Sequence, residues 1–104
     1  MKDNLETAGI TTTVGSKVLA SHVPEEDAEV VIRCRNAGAI IIGKENLEEF
    51  AAGATSNNPH YGAVHNPWDL DHGTGGSSGG AAAAVAAGVV PAANARDGGG
   101  SNRI

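Results

Sequence analysis

The chain has 104 residues, 40% of them hydrophobic but only 3% aromatic, so it holds one small domain whose interior must be filled mostly by Ala and Val. Twelve acidic against seven basic residues leave a net charge of −5 with no Lys/Arg cluster, which removes the counterion-release drive behind nucleic-acid binding. The single Cys34 cannot close an internal disulfide, the amino-terminal stretch is too polar for a signal peptide, and the apolar tract 81–87 falls far short of the roughly 20 residues that cross a bilayer. A cytoplasmic protein without nucleic-acid or membrane partners is therefore expected.

Residues 1–23 show neither helical nor strand periodicity and read as irregular. From Pro24 the acids at 25–27 supply a first turn, and Ala28, Val31, Ile32 and Arg35 continue at helical spacing, which predicts a helix to about Asn36. Gly38 suits the left-handed position after a helix end. Ala39–Ile42 is an unbroken apolar run, predicting a strand buried on both faces, and helix, glycine stop and non-alternating strand together predict an α/β fold with helices covering a mixed or parallel sheet. Asn46–Ala52 reads as a short helix and Thr55–Thr74 as a long site-building loop without secondary structure of its own. Gly75–Gly80 leads into an alanine-rich helix to Gly88, then a short strand over Val89–Ala93 and a glycine-rich loop from Asn94 to Ser101.

Most signatures along the chain fail on chemistry. Gly38–Lys44 spells G-x-x-x-x-G-K, but Glu45 stands where a metal-binding hydroxyl belongs. The two overlapping G-x-S-x-G matches at 75–80 lack a later histidine for a nucleophile elbow. His60, His65, His72, Asp69 and Asp71 have no metal-ligand spacing, so no metal or other cofactor is expected. Cys34 reads as a structural helix residue, and Trp68, Tyr61 and Phe50 as packing anchors. What remains is a pair of serines in glycine surroundings, Ser77 and Ser101, 24 positions apart. An eleven-residue helix starting at Ser77 would carry the chain about 16 Å away, and a returning strand and loop can bring Ser101 back beside it. Gly98, Gly99 and Gly100 allow successive N–H groups to face one concavity and hold an oxyanion. Alone, GGSSGG also reads as a flexible linker.

Taken jointly, KDN at 2–4, AGITTTVGS at 8–16, AGAIIIGKEN at 37–46, NPWDL at 66–70, GGSSGGAAAAVAAG at 75–88 and DGGGSNRI at 97–104 resemble the amidase signature family, in order and across the whole chain. The resemblance implies that residues 1–104 are a single partial domain of that family, truncated at both ends. It implies a Ser-Ser-Lys triad of Lys2, Ser77 and Ser101, with Ser77 on a cis peptide relaying a proton to Lys2 while Ser101 forms an acyl-enzyme from a small-molecule amide. Gly98, Gly99 and Gly100 would then be the oxyanion hole, Asp97 and Arg103 would brace the loop, and Ser78 would support the relay serine by hydrogen bonding. A lysine base must be neutral, so burial or a nearby positive charge has to lower its pKa from about 10.4. Two other readings remain: an inactive remnant that needs missing segments to fold, and a fragment of the glutaminase subunit of a tRNA-dependent amidotransferase. The DGGGS form of the loop leans towards a general amidase over that subunit.

Overall fold

A computed structural model describes all residues from Met1 to Ile104. Two α-helices, α1 (Glu29–Asn36) and α2 (Gly79–Ala86), are joined by two small antiparallel hairpins, β1 (Asn57–Asn58) with β2 (Gly62–Ala63) and β3 (His65–Asn66) with β4 (Asp69–Gly73). Single 3-10 turns lie at Lys17–Leu19 and Glu49–Ala51. The amino-terminal stretch is irregular as expected, and the turn at Glu49–Ala51 is all that forms of the helix expected over Asn46–Ala52.

Helix α1 begins five residues later than the sequence suggests, because the segment before it has other partners. Gly9 N–H donates to Pro24 O, Ala28 N–H donates to Glu6 O, and Ala8 N–H donates to Asp27 Oδ1 at 2.7 Å, which straps 24–28 in an extended course against 6–9. Helix α2 is eight residues long, so the chain travels only about 12 Å before turning back. The stretch expected to be a structureless loop contains both hairpins. Their paired segments are mostly two residues long and largely exposed, so they leave no alternating pattern to read.

Ala39–Ile42 and Val89–Ala93 form no strand. Ile40 is 88% exposed and Ile42 is 67% exposed, where a doubly buried strand was expected. Neither run has a neighbour along its length. The one parallel pairing lies just beyond the first run, where Glu45 N–H donates to Met1 O at 2.8 Å and Asp3 N–H donates to Glu45 O at 3.1 Å, joining Lys2 to Glu45.

The interior also departs from an Ala/Val core. The buried hydrophobic side chains are Val31, Leu47 and Ala81, and they are outnumbered by buried Lys2, Thr7, Thr12, Ser16, Ser56, Asn58, Ser77 and Ser78. Such an interior holds only if its polar groups are partnered. Asn58 meets that demand fully: its Nδ2 donates to Gly15 O and Leu47 O at 2.7 and 2.8 Å, and its Oδ1 accepts from the N–H groups of His60 and Tyr61. Glu48 accepts from Thr55 N–H, Thr55 Oγ1 and Ser56 N–H, and Ser56 Oγ in turn accepts from Gly79 N–H at the start of α2. That chain of bonds ties the second 3-10 turn to the helix that carries the serines. The aromatic residues are not packing anchors: Phe50 and Tyr61 are exposed, and Trp68 is 81% exposed at the tip of the second hairpin.

Candidate active site

The pairing of 1–3 with 43–45 points Lys2 into the protein, where it is 1% exposed. Its Nζ lies 2.9 Å from Ser77 Oγ, 2.7 Å from Ser78 Oγ and 3.1 Å from Ser101 Oγ. No carboxylate pairs with it. Asp3, the next residue, is committed elsewhere, with Oδ1 2.9 Å from Lys44 Nζ and Oδ2 accepting from Thr13. A buried amine without a counter-ion favours its neutral form, and here burial, followed by the positive charge of Arg96, lowers the Lys2 pKa from the ordinary lysine value.

Ser77 and Ser78 stand immediately before α2, because the glycines at 79 and 80 let the helix start pack against its neighbours. A Cβ on Gly80 would strike the Asn46 backbone, and one on Gly79 would strike Thr74 Oγ1 and Ser56. The Gly76–Ser77 peptide is cis. Ser101 returns beside both serines, with its Oγ 2.8 Å from Ser77 Oγ and 2.6 Å from Ser78 Oγ. The two are not equivalent. Ser78 Oγ donates to Arg96 O at 3.4 Å, whereas Ser77 Oγ has only Lys2 and Ser101 as partners, which leaves its proton free to move between them.

The loop before Ser101 is held by Asp97. Its Oδ1 accepts from Gly100 N–H at 2.7 Å and its Oδ2 from Arg103 Nε at 2.8 Å. These bonds, that from Arg103 first, lower the Asp97 pKa to about 2. Gly100 therefore departs from the expected oxyanion role, since its N–H is already donated. The N–H groups of Gly98, Gly99 and Ser101 donate to no protein acceptor.

A cavity of about 370 Å³ opens over this cluster, lined by Lys2, Ser77, Ser101, Gly98 and Gly99, and also by residues the sequence did not single out: Asn4, Val14, Phe50, Ala51 and Arg96. Val14, Phe50 and Ala51 all have positive φ, at 55°, 53° and 56°, a conformation that side-chain-bearing residues rarely adopt and one that concentrates at functional sites. Phe50 N–H donates to Val14 O at 2.8 Å and pins the two together. No sequence pattern marks these positions, because strain of this kind is a property of the folded backbone.

A buried lysine, a hydroxyl pair and a third serine under unpaired N–H groups form the apparatus of serine-based acyl transfer rather than of metal or phosphate chemistry. The chain belongs to the amidase family, whose model, described as Amidase, matches residues 1–104. It is 55% identical over 98% of its length to the amidase-family subunit of glutamyl-tRNA(Gln) amidotransferase from a Psychrobacter species, and 48% identical over 99% of its length to the same subunit from Sulfolobus acidocaldarius. It covers 20% and 22% of those two proteins, so it spans about a fifth of the curated relatives it matches. The crystal structure of the corresponding Thermotoga maritima protein superposes on 86% of this chain with a TM-score of 0.83 at 46% identity, with 20% of that protein covered. These likenesses place the fold in the α/β class expected from the sequence. No helix is long and apolar enough to cross a membrane.

Proposed function

We propose that this chain carries the catalytic centre of an amidase-type hydrolase that cleaves the C–N bond of small-molecule carboxylic amides. The observation that carries the reading is the mutual approach of Lys2 Nζ, Ser77 Oγ and Ser101 Oγ within 3.1 Å. Neutral Lys2 takes the proton of Ser77, Ser77 takes that of Ser101, and Ser101 Oγ bonds to the amide carbon. The N–H groups of Gly98, Gly99 and Ser101 hold the oxyanion, each donor contributing on the order of 10²–10³ in rate. Collapse breaks the C–N bond, and the proton on Lys2 returns through Ser77 to the departing amine. Water then attacks the ester on Ser101 by the same route, regenerating the serine and releasing the acid. Residues 1–104 supply this machinery as part of one catalytic domain, in a cytoplasmic protein.

A second reading follows from the relatives' name: the same centre would serve the amide-cleaving component of an amidotransferase, with ammonia passed to a partner. Both readings predict a reactive Ser101. Incubation with a fluorophosphonate probe followed by peptide mapping should place the adduct on Ser101, with none on Ser101→Ala. A folded protein that stays unlabelled sinks both and favours a catalytically inactive remnant.

A further inference from the structure

Three of the four arginines are neutralised: Arg33 by Glu29, Arg35 by Asp27 and Arg103 by Asp97, each at 2.7 or 2.8 Å. Arg96 is the exception. Its guanidinium makes neither an ion pair nor a hydrogen bond, although acids outnumber bases twelve to seven and Asp97 is the next residue in the chain. It lines the cavity over the serine–lysine cluster. Its charge reaches that cluster, since it is a cause of the lowered Lys2 pKa. Asn4 lines the same cavity, and its Oδ1 is a buried acceptor with no partner. An orphaned acceptor beside an unpaired guanidinium is an arrangement that a ligand completes, because each group is costly to leave unmatched away from water.

We propose that Arg96 is the specificity-determining residue of this cavity and receives a carboxylate carried by the amide substrate, while Asn4 Oδ1 accepts an N–H of the same molecule. The inference rests on the amidase reading for its reaction but not for its binding. A guanidinium matches a carboxylate through two parallel N–H···O bonds, a geometry that a neutral substrate cannot supply. The substrate class is therefore a short amide bearing an acid, such as the monoamide of a dicarboxylic acid, which fits a space of about 370 Å³.

The test compares succinamate with butyramide, an uncharged amide of the same chain length, by calorimetric titration or NMR shift perturbation of the whole chain. Succinamate should bind at least tenfold more tightly. Arg96→Gln should abolish the difference, Arg96→Lys should restore part of it, and added salt should weaken succinamate alone. Equal affinity for the two amides, saturable binding of neither, or an unchanged preference in Arg96→Gln overturns the proposal. Inorganic phosphate competing as well as succinamate would also overturn it, by showing a general anion site. Ser101→Ala should keep the succinamate preference. Failure to label Ser101 in the parent protein, with that preference intact, would refute the hydrolase and leave the recognition standing.

Discussion

Ser78 Oγ lies 2.6 Å from Ser101 Oγ, closer than Ser77 Oγ at 2.8 Å. Distance alone would thus choose Ser78 as the relay. The hydrogen-bond directions choose Ser77, because the Ser78 hydroxyl donates to the Arg96 carbonyl and can only accept from Lys2 and Ser101. Ser77→Ala should slow fluorophosphonate labelling of Ser101 by about 10²-fold or more, the range of a lost acid–base group. Ser78→Ala should slow it by about tenfold, the scale of one lost hydrogen bond. The opposite ranking would transfer the relay to Ser78.

Labelling should also depend on pH through Lys2. Its pKa is lowered by burial and then by Arg96, so the amine becomes neutral below the ordinary lysine range, and the rate should rise with pH to a midpoint under about 10.4. The sign for folding is the same. The unfolded chain binds a proton that the folded chain has lost between the two pKa values, so stability increases with pH across that window. Lys2→Met should remove both dependences, as stopped-time labelling and thermal melts over a pH series would reveal. A rate that is flat in pH excludes the lysine as base.

Asp97 titrates at about 2, held down first by Arg103 and then by the Gly100 N–H. Its contribution to stability is complete above the unfolded value of about 3.9 and disappears as pH falls through about 2. Arg103→Ala should return the carboxyl towards the ordinary range, visible as a shifted side-chain carbon titration by NMR. The same variant should loosen the glycine loop and reduce Ser101 labelling. An unshifted Asp97 would show that the backbone donor alone sets its acidity.

Much of the site was legible in the sequence. Lys2, Ser77 and Ser101 come together because glycine-rich turns at the start of α2 and before Ser101 leave few other courses for the chain. Arg96 and Asn4 were not legible, since an arginine or asparagine in a polar loop looks solvated unless its partners can be counted in three dimensions. The apolar run Ala39–Ile42 misled for a related reason. Local pattern records that a strand is apolar on both faces, but what lies against those faces is long-range, and here the run stays exposed. The aromatic residues erred the same way: size suggests burial, yet Trp68 caps a hairpin against which nothing packs.

Glu48 is the residue whose loss should reach furthest from its own position. Burial would raise its pKa, but the N–H groups of Thr55 and Ser56 and the Thr55 hydroxyl hold it low, so its bonds persist above the ordinary glutamate range and fail as pH drops below it. Glu48→Gln turns an amide donor towards those donors and should destabilise the fold by about 1–3 kcal/mol. Through Ser56 and Gly79 it should also slow Ser101 labelling. A thermal midpoint equal to that of the parent would mean the 48–56 turn holds without it.

Trp68 is the only tryptophan in the chain, and its indole already stands in water at the hairpin tip. Intrinsic emission therefore begins near its hydrated limit and has little room to redden as the protein melts. Optical assays that depend on it would report a flat line through a genuine transition, so circular dichroism of the helices is the better monitor. The same isolation makes the ring a clean local beacon: quenching by iodide reads the hairpin tip and nothing else.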